Sequence, residues 1–151
     1  MLIVFPLGLL ATAVIFDILY VATANEDLAT FSYYALIAGV VGGLLAAIFG
    51  FLDWTKIPKE TRARRIGAVH GVGNVIVTGL FALSLASRWG DASYLPSLLP
   101  MALGLVGALI ALFTAWLGGE LVYRLRVGVD DDAQLNASNS ISREGIAEVR
   151  T

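Results

Sequence analysis

The sequence predicts an all-α integral membrane protein, a four-helix bundle of antiparallel up-down spans with the N and C termini both cytoplasmic. Three observations carry that prediction: an apolar, charge-poor composition, four long apolar stretches, and basic residues gathered on one side of them. Hydrophobic residues make up 58% of the 151 and charged residues only 15%, whereas a soluble domain is about half apolar and about a quarter charged. A helix crossing a hydrocarbon core of about 30 Å needs roughly 20 mostly apolar residues at about 1.5 Å rise each. The stretches Leu2 to Ala24, Phe31 to Leu52, Ile66 to Ser87 and Leu98 to Val122 meet that requirement. The first lacks the basic start and clear cleavage site of a signal peptide, so it is read as a retained helix.

The connections are short and polar: Asn25 to Thr30, Asp53 to Arg65, and Arg88 to Ser97, where Gly90, Asp91, Pro96 and Pro100 suit turns and helix starts. Connections this short make neighbouring spans antiparallel. Lys56, Lys59, Arg62, Arg64 and Arg65 lie in the second connection and Arg124 and Arg126 after the fourth span, against Arg88 alone on the opposite side. By the positive-inside rule the basic side is cytoplasmic, with Glu26, Asp27 and Asp91 outside. Tyr33, Tyr34, Trp54, Trp89, Tyr94 and Tyr123 fall near span ends, at headgroup level. Residues 1–127 thus form one transmembrane domain, and 128–151 a polar cytoplasmic tail too poor in apolar surface to fold alone. Ser142 to Val149 reads as a solvated end or a short helix on a partner. The glycosylation triplet Asn136, Ala137, Ser138 is accidental on that side of the membrane.

Spans associate in lipid through close backbone approach and a few polar contacts. Small residues recur at spacing four: Gly39, Gly43, Ala47 with Gly42, Ala46, Gly50 in the second span, Gly67 and Gly71 in the third, and Gly107, Ala111, Ala115, Gly119 in the fourth. Further small residues at Gly104, Ala108 and Gly118 leave room for an intermolecular face.

Polar residues within the spans are the candidate sites. Asp17 lies about 24 Å along the first span. An ionised carboxylate there is costly, so it is protonated, paired or opened to water: a proton or ion site, or one hydrogen bond that fixes packing. His70 is the only histidine, and Asn74 and Thr78 follow it at spacing four. An inward imidazole suits ligation of haem b iron or a chlorophyll-type pigment, with Asn74 shaping the pocket, although a second axial histidine would have to come from a symmetric copy. The alternative is a satisfied structural histidine. Asp53, Arg64, Arg65 and Glu120 reach similar depth at the cytoplasmic boundary, where opposite charges can pair and lock the helix ends. With no cysteine there is no disulfide framework or thiolate metal site. No catalytic triad, HExxH, phosphate loop or zinc spacing occurs, so neither catalytic nor metal-binding residues are expected, and no basic face suits nucleic acid.

Several runs taken in order are Phe5-Pro6-Leu7-Gly8-Leu9 with Phe16-Asp17, Gly50-Phe51-Leu52-Asp53-Trp54 with Ile57-Pro58, Ala68-Val69-His70 with Asn74, and Leu117-Gly118-Gly119-Glu120-Leu121-Val122-Tyr123 before Gly128-Val129. Up to about Val129 the chain resembles an uncharacterised "domain of unknown function" family of predicted four-span bacterial membrane proteins. The resemblance implies the same topology and places Asp17, Asp53, His70, Asn74 and Glu120 at the family's polar positions. The association of some members with haem proteins or respiratory chains is an analogy for redox roles. Members often carry histidine and proline shortly before the Phe-Pro pair, and Met1 leaves no room for them, so either the start lies upstream or a possible second ligand is missing.

The expected role is non-enzymatic: an accessory or assembly subunit of a larger bacterial bioenergetic complex, multi-pass in the bacterial inner (cytoplasmic) membrane. Its partners are then the lipid bilayer and other membrane subunits or a second copy in a homodimer. The rival readings are haem b or pigment binding with electron transfer through His70, and a proton or ion pathway using Asp17 and the His70, Asn74, Thr78 stripe.

Overall fold

The computed structural model describes residues 3–90 and 94–137. The helices are α1 (Val4–Thr23), α2 (Glu26–Lys56), α3 (Arg62–Ala86) and α4 (Leu98–Gly119), the last continuing into a single π-helical turn, Glu120–Arg124. All four are long and apolar enough to cross a membrane, and there is no strand among the described residues. The expectations for Asp91, for Ser138 of the glycosylation triplet and for Ser142 to Val149 lie outside the described residues.

Helix ends depart from the apolar stretches wherever a cap extends the helix beyond hydrocarbon. α2 begins at Glu26 because the Asn25 side chain accepts from the Asp27 amide (3.1 Å) and two acids occupy the first turn, both favourable at a helix N-terminus. The first connection therefore shrinks to Ala24 and Asn25, with Ala24 left-handed at φ 55°. At its far end α2 runs on through the Asp53–Lys56 ion pair (2.9 Å). α3 begins at Arg62, four residues before the apolar stretch, because Thr61 accepts from the Arg64 amide (3.1 Å). Pro6 and Pro100 sit in the first turns of α1 and α4, where a missing N–H costs no helical bond.

Each helix buries one narrow stripe. Pro6, Leu10, Ala13 and Asp17 form it on α1, Ala29, Ser32, Leu36, Gly39 and Gly43 on α2, Val77, Phe81 and Ser84 on α3, and Pro100, Gly104, Gly107, Thr114 and Leu117 on α4. This alternating three-and-four spacing is that of antiparallel helices crossing at shallow angles. The glycines explain the close approach. A Cβ on Gly39 would lie 2.6 Å from Leu10, one on Gly107 3.0 Å from Phe81, and one on Gly73 2.5 Å from Thr114. Gly104 and Gly118 face residues of this chain and Ala108 packs against the core, so the surplus small residues expected to leave an intermolecular face on α4 are turned toward the bundle. The core between them comprises Leu10, Ala13, Leu36, Val40, Val77 and Phe81. Near the Asp17 end, Tyr33 is buried and stacks on Tyr94 at 4.3 Å, fastening α2 to the segment after α3. The Tyr94 phenol is pushed above its ordinary value, first by the adjoining Tyr34 charge.

Candidate functional site

Two polar clusters lie within the bundle, one toward each end, with the apolar core between them. In the first, Asp17 sits on the buried stripe of α1, and Arg88, just past the end of α3, folds back into the bundle. The Arg88 guanidinium meets the Asp17 carboxylate with both terminal nitrogens, Nη1 donating to Oδ1 at 3.0 Å and Nη2 to Oδ2. The side chains are 1% and 7% exposed, so the pair is almost wholly withdrawn from solvent. Nη1 also donates to Ser32 Oγ (3.3 Å) and Nη2 to Ser84 Oγ (3.5 Å). Those hydroxyls in turn donate onward, Ser32 to the Ala13 carbonyl (3.0 Å) and Ser84 to the Pro100 carbonyl (2.9 Å). One ion pair and two serines thereby connect all four helices. The geometry is the bidentate fork that favours arginine with carboxylate.

The second cluster joins α3 to α4. His70 Nδ1 lies 2.8 Å from the Thr114 carbonyl, and its Nε2 lies 2.9 Å from Asn74 Nδ2. A carbonyl can only accept and an amide NH2 can only donate, so these contacts suit Nδ1 as donor to Thr114 and Nε2 as acceptor from Asn74. Asn74 Oδ1 accepts from Thr114 Oγ1 (2.9 Å), which closes a ring of three residues through the Thr114 backbone, and Thr78 donates to the Asn74 carbonyl (2.9 Å). Gly118 makes room for the imidazole, since a Cβ there would lie 3.1 Å from Cε1. The predicted His70, Asn74, Thr78 stripe is thus one connected unit, completed by a threonine from the facing helix. Both ring nitrogens are engaged, and ligation of haem iron or chlorophyll magnesium would require surrendering the bond to Asn74. A proton passing between Asp17 and His70 would have to cross the layer of Leu36, Val40, Val77 and Phe81.

At the basic end the predicted charges are close but their partners differ from expectation. Glu120, its side chain 10% exposed, pairs with Arg62 (2.9 Å) and Arg124 (3.6 Å). Asp53 pairs within its own helix, with Lys56. Arg64 meets no acid among the described residues: its Nη1 donates to the carbonyls of Trp54 (3.3 Å), Thr55 (3.4 Å) and Ile57 (2.6 Å), its guanidinium lies 4.2 Å from the Trp54 ring centroid, and Trp54 Nε1 donates to the Arg64 carbonyl (3.0 Å). It caps the exposed C-terminal carbonyls of α2, a cationic role favoured by the helix dipole. Arg65 makes no ion pair among the described residues. The physical reason is local: an acid three residues from a lysine, and carbonyls at a helix end, are nearer than charges on other helices. No cluster of acidic or histidine side chains that could hold a metal ion occurs among the described residues.

The sequence profile of the family described as "Predicted membrane protein (DUF2231)" matches residues 1–131. The chain belongs to this family. No curated protein and no solved structure matches it. The match takes in every residue of both clusters and the basic end, and it bears out the resemblance seen in the sequence. This DUF2231 protein is accordingly a multi-pass membrane protein of four apolar helices.

Four members of the DUF2231 clusters escape sequence reasoning: Arg88, Ser32, Ser84 and Thr114. Arg88 was assigned by its position in a connection, although a charge count by depth points to it. A carboxylate near the Thr23 end of α1 needs a cation, and Arg88 is the one basic residue in the connections at that end of the bundle. Ser32, Ser84 and Thr114 carry no such signal, because a lone hydroxyl in an apolar helix usually bonds back to its own backbone. Replacing Arg64 with alanine is expected to lower stability by about 1–2 kcal/mol, since cap and ring contacts are lost while water takes over the exposed carbonyls. Unfolding midpoints in mild detergent test this, and an unchanged midpoint refutes the capping role.

Proposed function

We propose that this protein is a non-enzymatic accessory or assembly subunit of a larger complex in the bacterial cytoplasmic membrane, acting through helix packing. The observation that carries this reading is on α3. Gly71, Val75 and Gly79 recur at spacing four on an exposed strip, and a Cβ at either glycine would meet nothing within 4 Å. Glycines that admit no neighbour of their own chain are the surface on which a second transmembrane helix approaches most closely. The polar groups support the same reading, because Asp17, Arg88, His70, Asn74 and Thr114 are spent on one another and leave little for a substrate or cofactor. The basic end faces the cytoplasm by the positive-inside rule.

The chain has no cysteine, so a single introduced one reports cleanly. Val75→Cys, carrying a photoreactive probe in native membranes, is expected to give one discrete protein adduct, identifiable by mass. Leu112→Cys, on an exposed face of α4, is expected to give none. A monodisperse monomer in mild detergent, with no adduct from either position, overturns the proposal.

A further inference from the structure

The lipid-facing seam between α3 and α4 holds a groove with a chemical polarity. Its upper part, of about 390 Å³, is lined by Val69, Val72, Gly73, Ile76, Ile110 and Phe113 among others. Its lower part, of about 330 Å³, is lined by Val69, Ile66 and Leu117 and ends at Arg62 and Arg65. Val69 lines both, so the two parts adjoin. Gly73 and Thr114 are packed together in the floor of the groove, while Val72 and Phe113, 61% and 53% exposed, stand as its walls.

We propose that this groove binds one anionic phospholipid of the leaflet on the basic side, its phosphate on Arg62 and Arg65 and one acyl chain along α3 and α4. Three features fit this occupant. The cations stand at the end of the groove, where headgroups lie, and the rest of its lining is almost wholly apolar. Arg65 has no acidic partner among the described residues, so its charge is available. Arg62 shares its charge with Glu120 but keeps a side chain 55% exposed. From Arg65 to Ile76 is eleven residues, about 16 Å at 1.5 Å each, close to half of a hydrocarbon core of about 30 Å. The groove is therefore one leaflet deep. Basic pockets between spans on the cytoplasmic side are a recurrent form of lipid headgroup recognition. The strip through Gly71 and Gly79 lies about a third of the helix circumference away at 3.6 residues per turn, so a partner helix there leaves the groove open.

The test is native mass spectrometry of the full chain in mild detergent, titrated with phosphatidylglycerol or with phosphatidylcholine of the same acyl chains. Phosphatidylglycerol is expected to be retained more tightly. Arg65→Gln is expected to weaken it about fivefold and the pair Arg62→Gln, Arg65→Gln about twenty-five-fold, at about 1 kcal/mol per basic residue near the headgroups. Val69→Trp, which fills the junction of the two parts, is expected to abolish retention while the unfolding midpoint stays near wild type. Glycerophosphoglycerol, which has the headgroup but no chains, is expected not to compete. Equal retention of the two lipids, indifference to Arg65→Gln and Val69→Trp, or displacement by glycerophosphoglycerol at matching concentration overturns the proposal.

Discussion

Asp17→Asn is expected to destabilise the bundle by about 3–5 kcal/mol, the cost of leaving a buried charge without its partner. The substitution hardly changes side-chain volume, so packing loss cannot account for it. Arg88, 1% exposed at its side chain, would face a neutral amide, and a guanidinium cannot shed its proton. Arg88→Met is expected to cost less, because a carboxyl side chain has a neutral form and a guanidinium does not. The double replacement Asp17→Leu with Arg88→Met is expected to recover most of the loss, as apolar side chains of similar volume often match a buried ion pair. Circular dichroism during titration with a denaturing detergent gives the three values. If Asp17→Asn unfolds within about 1 kcal/mol of wild type, the pair is not the fastening that links the four helices.

His70→Ala is expected to cost about 2–4 kcal/mol, combining the cavity beside Gly118 with the loss of two hydrogen bonds. Asn74→Ala should cost less, because the Thr114 hydroxyl can turn its one proton to the Ala111 carbonyl at 3.0 Å. The two substitutions together should fall short of their sum by about 0.5–3 kcal/mol, as befits members of one circuit. A visible spectrum of protein from its native membrane separates this structural role from pigment ligation. With His70 holding Thr114 and Asn74, the expected spectrum has no Soret or chlorophyll band. A stoichiometric band that disappears in His70→Ala would make the imidazole a ligand and reverse the assignment.

The four helices were legible because hydropathy responds to the one property a lipid core imposes everywhere. Their ends were less so: Asn25 and Thr61 extend α2 and α3 through single side-chain bonds that a hydropathy window averages away. Within the sites, the spacing of His70 and Asn74 announced their contact, since four residues make one turn. The contact of Asp17 with Arg88 spans 71 residues, and Arg88, two residues past the end of α3, reads in sequence as part of the loop. Long side chains make that boundary soft, because an arginine can reach back several ångströms into the bundle. Glu120 was placed at the correct end, but which of several nearby arginines it meets depends on helix rotation, which composition does not encode.

The position of the Asp17–Arg88 pair also bears on biogenesis. α1 and α2 carry the carboxylate and Ser32, while α3 supplies Ser84 and Arg88 and α4 the Pro100 carbonyl. Each hairpin, entering the bilayer alone, holds half of an electrical circuit that lipid cannot complete. The second hairpin is thus the counter-ion of the first, and two separately expressed halves carry in their charges the means of finding each other.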